Sequence, residues 1–178
     1  MKILLVIIVI AGIVGLLFVL LRKGTTSKSL ANPEQTPHEN LASPMQTSNE
    51  SLVNLEQIPA VVAKLQRDGR DSSFAVFMFV PLTGEPSGVP VNLQYSIKNG
   101  VTGLDWVLLS PRNIADQKTL STFIIKSGYK FSELKANDVK YLRVEGNGVS
   151  ELGVKICREF YHLSSDEKIE LLAEGFEW

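Results

Sequence analysis

The sequence predicts an α+β protein with an N-terminal transmembrane helix, a disordered linker and a small antiparallel-rich sheet with helices packed on one face. Three observations carry that expectation. Residues Ile3 to Leu21 form an uncharged apolar run, the stretch after it is polar and aperiodic, and the remainder alternates strand-period with helix-period segments. The order of the remainder is α, β, β, β, α, β, β, α, β, which contains two strand-strand-helix units and suits a sheet backed by helices. The expected divisions are an anchor over 1–23, a flexible linker over 24–55 and a soluble domain over 56–178. With 178 residues in all, one core fits better than two.

The run ILLVIIVIAGIVGLLFVLL would extend about 28 Å as a helix, close to the thickness of a bilayer's hydrocarbon core. All its backbone groups would be paired internally, as lipid requires. A cleaved leader is the competing reading, but such leaders have apolar regions of about 7–15 residues. The small pair Ser29 and Ala31, which would release a mature chain near Asn32, is separated from the run by Arg22, Lys23 and Lys28. The anchor therefore places the lipid bilayer among the partners, through Ile3 to Leu21. Ala11 and Gly15 have the small-xxx-small spacing that would permit a homodimer. Lys2 and the α-amino group precede the run, and Arg22, Lys23 and Lys28 follow it, which favours a cytoplasmic C-terminal domain.

From Gly24 to Leu55 the chain is rich in Ser, Thr, Asn, Gln and Pro and has no aromatic residue. Such a segment cannot bury enough surface to offset the entropy of ordering it, so it is expected to act as a spacer. Pro33, Pro37 and Pro44 lack P-x-x-P spacing, and His38 has no companion ligand.

In the domain, Ala60 to Gly69 is expected to be a short helix with Pro59 in its first turn. FAVFMFV, from Phe74 to Val80, is a continuous apolar run and reads as a central strand buried on both faces. Gly84, Pro86, Gly88 and Pro90 exclude a regular element over 82–90, and their spacing is not that of a phosphate loop. Val91, Leu93, Tyr95 and Ile97 alternate with polar residues in the clearest strand of the chain. Asn99-Gly100 then turns it into a return strand. On that return strand Asp105 falls among Val101, Gly103, Val107 and Leu109. A helix is expected to begin near Asp116, bury Leu120, Phe123 and Ile124, and end at Gly128. Strands over Tyr129–Leu134 and Val139–Glu145 follow, joined through Asn137-Asp138. Val149, Leu152, Gly153, Ile156, Cys157, Phe160 and Tyr161 then repeat at helical spacing, with Ser150 as the expected cap. Ile169 to Trp178 is read as a last strand, its Phe176 and Trp178 closing the core.

Composition excludes several functions. The net charge is -1, and from Glu56 onward 14 basic residues stand against 16 acidic ones, so no electrostatic footprint for nucleic acid exists. Cys157 is the only cysteine and is expected in the core, which leaves no cysteine-based metal site and no disulfide. His162 is expected at a helix end, where an imidazolium complements the dipole. No nucleotide, flavin or metalloprotease motif is present, and no cofactor is expected. The remaining candidate site for a ligand or partner is Asp105, Trp106, Arg112, Asn113 and Asp116, at the junction of a strand and a helix. Arg112 offers a bidentate donor fork and Trp106 a stacking face. The competing local reading pairs Asp105 with Arg112 and buries Trp106 in the core. Function is thus expected to be that of a membrane-tethered protein-binding or adaptor module, and the alternative is a small ligand-binding or hydrolytic enzyme using Asp105, Arg112 and Asp116.

Overall fold

The strand-forming and helix-forming segments assemble into one seven-stranded sheet and three helices in a computed structural model, which describes residues 48–178 apart from 85. The expected span Ile3–Leu21 and most of the expected linker lie outside the described residues. Among the described residues no helix is long and apolar enough to cross a membrane. The elements are β1 (Ser48–Val53), a 3-10 turn (Leu55–Gln57), α1 (Ile58–Asp68), β2 (Phe74–Phe79), β3 (Val91–Lys98), β4 (Val101–Val107) and α2 (Pro111–Lys126). After them come β5 (Ser132–Ala136), β6 (Val139–Glu145), α3 (Val149–Lys155), a π turn (Ile156–Phe160) and β7 (Ile169–Glu174). Residues 48–135 and 139–178 belong to one compact unit.

The strand order is β1-β7-β2-β3-β4-β6-β5, and the registered pairs from β1 through β6 are all antiparallel. Burial follows the sequence periods. Leu93, Tyr95, Leu104 and Trp106 enter one core with Val61 and Leu65 of α1, Leu120 and Ile124 of α2, Leu152 of α3 and Ile156 of the π turn. Side chains alternate across a strand, so Gln94, Ser96, Asp105 and Arg143 face away from that core. β2 is interior and buried at five of its six positions, as its unbroken apolar run requires. Phe176 is buried and Trp178 packs against the core.

Several boundaries differ from the expectation, each for a local reason. β1 and the 3-10 turn occupy residues 48–57, so the end of the stretch expected as linker, 48–55, takes part in the fold. β1 pairs with β7 alone among the described strands, so its polar composition is tolerated. Asn54 and Gln57 then form a capping box in which each side chain accepts from the other's backbone. α2 starts at Pro111, not near Asp116, because the Ser110 hydroxyl accepts from the Arg112 amide and Pro111 suits the first helical position. α3 is preceded by Gly148 in a left-handed conformation, and Ser150 instead donates to Glu151. β5 begins three residues later than expected, since the Tyr129 hydroxyl is drawn to the Gly148 carbonyl. His162 is exposed and left-handed just beyond the π turn, where the Leu163 amide closes onto the Cys157 carbonyl.

Candidate functional site

The five residues singled out in the sequence divide into two groups. Trp106, Arg112, Asn113 and Asp116 come together where β4 runs into α2. The fully buried Trp106 donates its indole N–H to the Asn113 carbonyl at 3.0 Å. The Asn113 side chain behaves as a short piece of strand: its amide nitrogen donates to the carbonyls of Asn92 and Val107, each at 2.9 Å, and its oxygen accepts from the Asn92 amide. Arg112 is 4% exposed, and its Nε donates to Asp116 at 2.6 Å. Its two remaining nitrogens hold the Thr83 and Pro86 carbonyls of the loop between β2 and β3. Asp116 also accepts from the Tyr161 hydroxyl at 2.8 Å, and the Arg112 guanidinium lies 5.6 Å from the centre of that ring. Burial, together with the hydrogen bond to Asp116 and its charge, pushes the Tyr161 phenol far above its ordinary range.

Asp105 belongs elsewhere. Its pairing with Arg112, the local reading from sequence, is replaced by a pair with Arg143 on the sheet face turned away from the core. Arg143 donates to both Asp105 oxygens at 2.8 and 3.0 Å, and Ser96 donates to the same carboxylate. The guanidinium covers Gly103, where any larger side chain would collide with it. Burial pushes the Asp105 carboxyl up, against the opposing pull of Arg143 and the Ser96 hydrogen bond. These groups spend their hydrogen-bonding capacity on one another and on backbone. Arg143, Ser96 and Tyr161 were not legible as their partners, because strand register decides who meets Asp105 and the π turn decides where Tyr161 points.

A cleft of about 460 Å³ lies on another part of the molecule. One wall is a single face of α1, formed by Pro59, Val62, Ala63 and Gln66 at positions i, i+3, i+4 and i+7. The opposite walls are the β3–β4 turn with the start of β4, Gly100 to Thr102, and the loop from Gly146 to Ser150. No lining residue carries an ionisable side chain. Gly100 and Gly146 have φ of 73° and 114°, and a methyl group at either would meet nothing within 4 Å, while the Gly100 amide donates to Asp71 at 2.8 Å. Thr102 is 9% exposed, and its hydroxyl has no hydrogen-bond partner among the described residues. The sequence shows Asn99-Gly100 only as a hairpin turn; its convergence with the Gly146–Ser150 loop on α1 is a property of the tertiary fold.

The lining offers amide, hydroxyl and backbone groups beside an apolar helix face, which suits binding and contains no acid, base or nucleophile of ordinary catalytic strength. Cys157, 0% exposed in the core, has its thiol pushed up to about 12 by burial, which leaves it protonated and inert at neutral pH. Among the described residues no three His, Cys, Asp or Glu side chains gather to hold a metal ion. No protein-family model, curated protein or solved structure matches the chain.

Proposed function

We propose that the chain is a membrane-tethered protein-binding module and that the cleft between α1 and the Gly146–Ser150 loop receives the partner. The observation that carries this reading is the cleft's lining: apolar surface and two side-chain amides, beside Gly100 and Gly146 with open space next to them. Ile3 to Leu21 would anchor the protein in a bilayer as a single-pass helix, with helices packed on one face of the sheet in the exposed domain. The polar residues between the apolar run and β1 would span about 25–30 Å, enough to hold the domain clear of lipid headgroups. The charge balance around the apolar run favours a cytoplasmic domain, and Ala11 and Gly15 would allow two copies to associate. The alternative, an enzyme acting through Asp105, Arg112 and Asp116, draws less support because Asp105 and the Arg112–Asp116 pair are engaged separately.

A photocrosslinking residue placed at Gln66, in the cleft, and another at Lys118, exposed on α2 outside it, test the reading in intact cells. A discrete protein adduct from Gln66 alone is expected. The cleft reading fails if Gln66 yields no adduct, or the same adducts as Lys118. Membrane tethering is tested by carbonate extraction, which would release a protein held only peripherally.

A further inference from the structure

We infer that the stretch of partner received by the cleft is basic, with small apolar side chains against α1 and arginine or lysine side chains reaching Asp71 and Glu151. The inference rests on the reading of the cleft as the partner site and names the chemistry of its occupant. Asp71, in the turn after α1, is fastened to one wall, where its Oδ1 accepts from the Gly100 amide at 2.8 Å. Glu151, in the first turn of α3, is fastened to another, where its Oε2 accepts from the Ser150 hydroxyl at 2.8 Å. Both residues are exposed, and neither makes an ion pair among the described residues, whereas Glu56, Asp68, Asp105 and Asp116 each hold an arginine. A carboxylate can accept about four hydrogen bonds, so each keeps capacity for a charged donor from outside.

The rest of the lining agrees with such an occupant. It contains no cation to repel a basic side chain. Val101 is an exposed valine on the wall opposite α1, so apolar surface is available on both sides of the cleft. The methylene stem of an arginine or lysine can lie along Ala63 and Val101 while its charged head stays in water beside a carboxylate. The two carboxylates belong to different walls, which gives a stretch with two basic residues one partner for each. An acidic stretch would meet two like charges and no opposite one in the lining.

The test uses the full-length chain in nanodiscs of zwitterionic lipid and three mixtures of dye-labelled, C-amidated heptapeptides, with binding read by fluorescence anisotropy. Five positions are drawn from Gly, Ala, Val and Ser, and two are fixed as Arg, Gln or Glu. The Arg mixture is expected to bind about tenfold more tightly than the Gln mixture, and the Glu mixture more weakly than either. Asp71→Asn and Glu151→Gln keep an oxygen for the Gly100 amide and the Ser150 hydroxyl and remove only charge. Each should weaken the Arg mixture about threefold and the two together about tenfold, with the Gln mixture unmoved. Glu133→Gln, exposed on the distant edge strand β5, should change nothing. An Arg mixture that binds no better than the Gln mixture, or a double variant that binds it as tightly as wild type, would overturn the inference. Equal weakening by Glu133→Gln would also overturn it, by tracing the effect to overall charge. Acetylarginine amide saturating at the same concentration as the Arg mixture would assign the cleft to a small free cation and overturn it as well. So would a chain carrying Arg22→Gln, Lys23→Gln and Lys28→Gln that binds the Arg mixture at least about tenfold more tightly, because the cleft would then belong to the chain's own basic residues. If no mixture binds yet the Gln66 adduct forms, the basic stretch alone is refuted. If neither occurs, both readings fall.

Discussion

Replacing Thr102 with valine should make the domain more stable. The hydroxyl is buried and has no partner among the described residues, which costs about 1–3 kcal/mol relative to a satisfied group. Valine keeps the β-branched shape that the strand favours, replaces the hydroxyl by a methyl group and leaves no cavity. Allowing for imperfect fit of the new methyl, the expected gain is about 1 kcal/mol, equivalent to a rise of about 3–5 °C in Tm for a domain of this size. Urea unfolding of the full-length protein in detergent, followed by tryptophan fluorescence, measures it: the midpoint should rise with no change in slope. Thr102→Ser should lie below the wild type because it removes only the methyl, which gives the ranking Val, Thr, Ser. A T102V protein about 1 kcal/mol or more less stable than wild type would refute the reasoning. It would mean that the hydroxyl is hydrogen-bonded in solution, to a held water for example.

Arg112→Ala should cost about 3 kcal/mol, because it unties two loop carbonyls and leaves the Asp116 carboxylate with Tyr161 alone. Limited proteolysis should then cut within residues 82–90 at least about tenfold faster, and an unchanged cleavage rate would show that the loop is held by other contacts. Gly153→Ala would drive a methyl group into the Tyr95 hydroxyl and should cost about 1–3 kcal/mol. Tyr95→Phe removes that oxygen, so the double variant should recover about 1 kcal/mol in a mutant cycle, and strict additivity would rule out the collision. Burial pushes the Cys157 thiol up to about 12, above the usual range of about 8–9 for a free thiol. Between those values the unfolded chain has lost a proton that the folded chain keeps. The stability this group contributes is therefore complete below the unfolded pKa and is lost as pH rises toward 12, by at most about 1.4 kcal/mol per pH unit. Comparing wild type with Cys157→Ala from pH 9 to 11 should show the shallower decline in the variant. Folded wild type at pH 8 should react with iodoacetamide on the order of a thousandfold more slowly than urea-unfolded protein.

Local periodicity and turn chemistry were enough to read much of the fold. The alternation of Val91, Leu93, Tyr95 and Ile97 located β3 with its exact ends, and Asn99-Gly100 located the hairpin, because both depend on neighbours in sequence. Val139–Glu145 was likewise found exactly, and the i, i+3, i+4 spacing from Val149 onward found the last helix. What failed depended on distant partners. β1 looks like linker because a polar edge strand is held by backbone pairing with β7, more than a hundred residues away, and main-chain pairing leaves little trace in side-chain pattern. Ser110 and Asp116 are both reasonable caps, and the choice of Ser110 goes with the anchoring of α2 through Asn113 to β3.

The candidate site separates the two levels in the same way. From composition alone the sequence determined the near-neutral charge, the single cysteine without a thiol partner and the apolar run at its N-terminal end, since none of these needs a partner to be read. It also placed Trp106, Arg112, Asn113 and Asp116 together, because they lie within a strand end and the helix turns that follow. Only the tertiary structure decided that Asp105 leaves this group for Arg143, because a one-residue difference in register would turn it to the other face of the sheet. Only the tertiary structure, too, brought one face of α1 against two glycine turns some 40 to 80 residues further along and left Thr102 unsatisfied between them. A cleft is the space that packed elements leave unfilled, and side-chain patterning specifies which surfaces meet without specifying where they stop meeting.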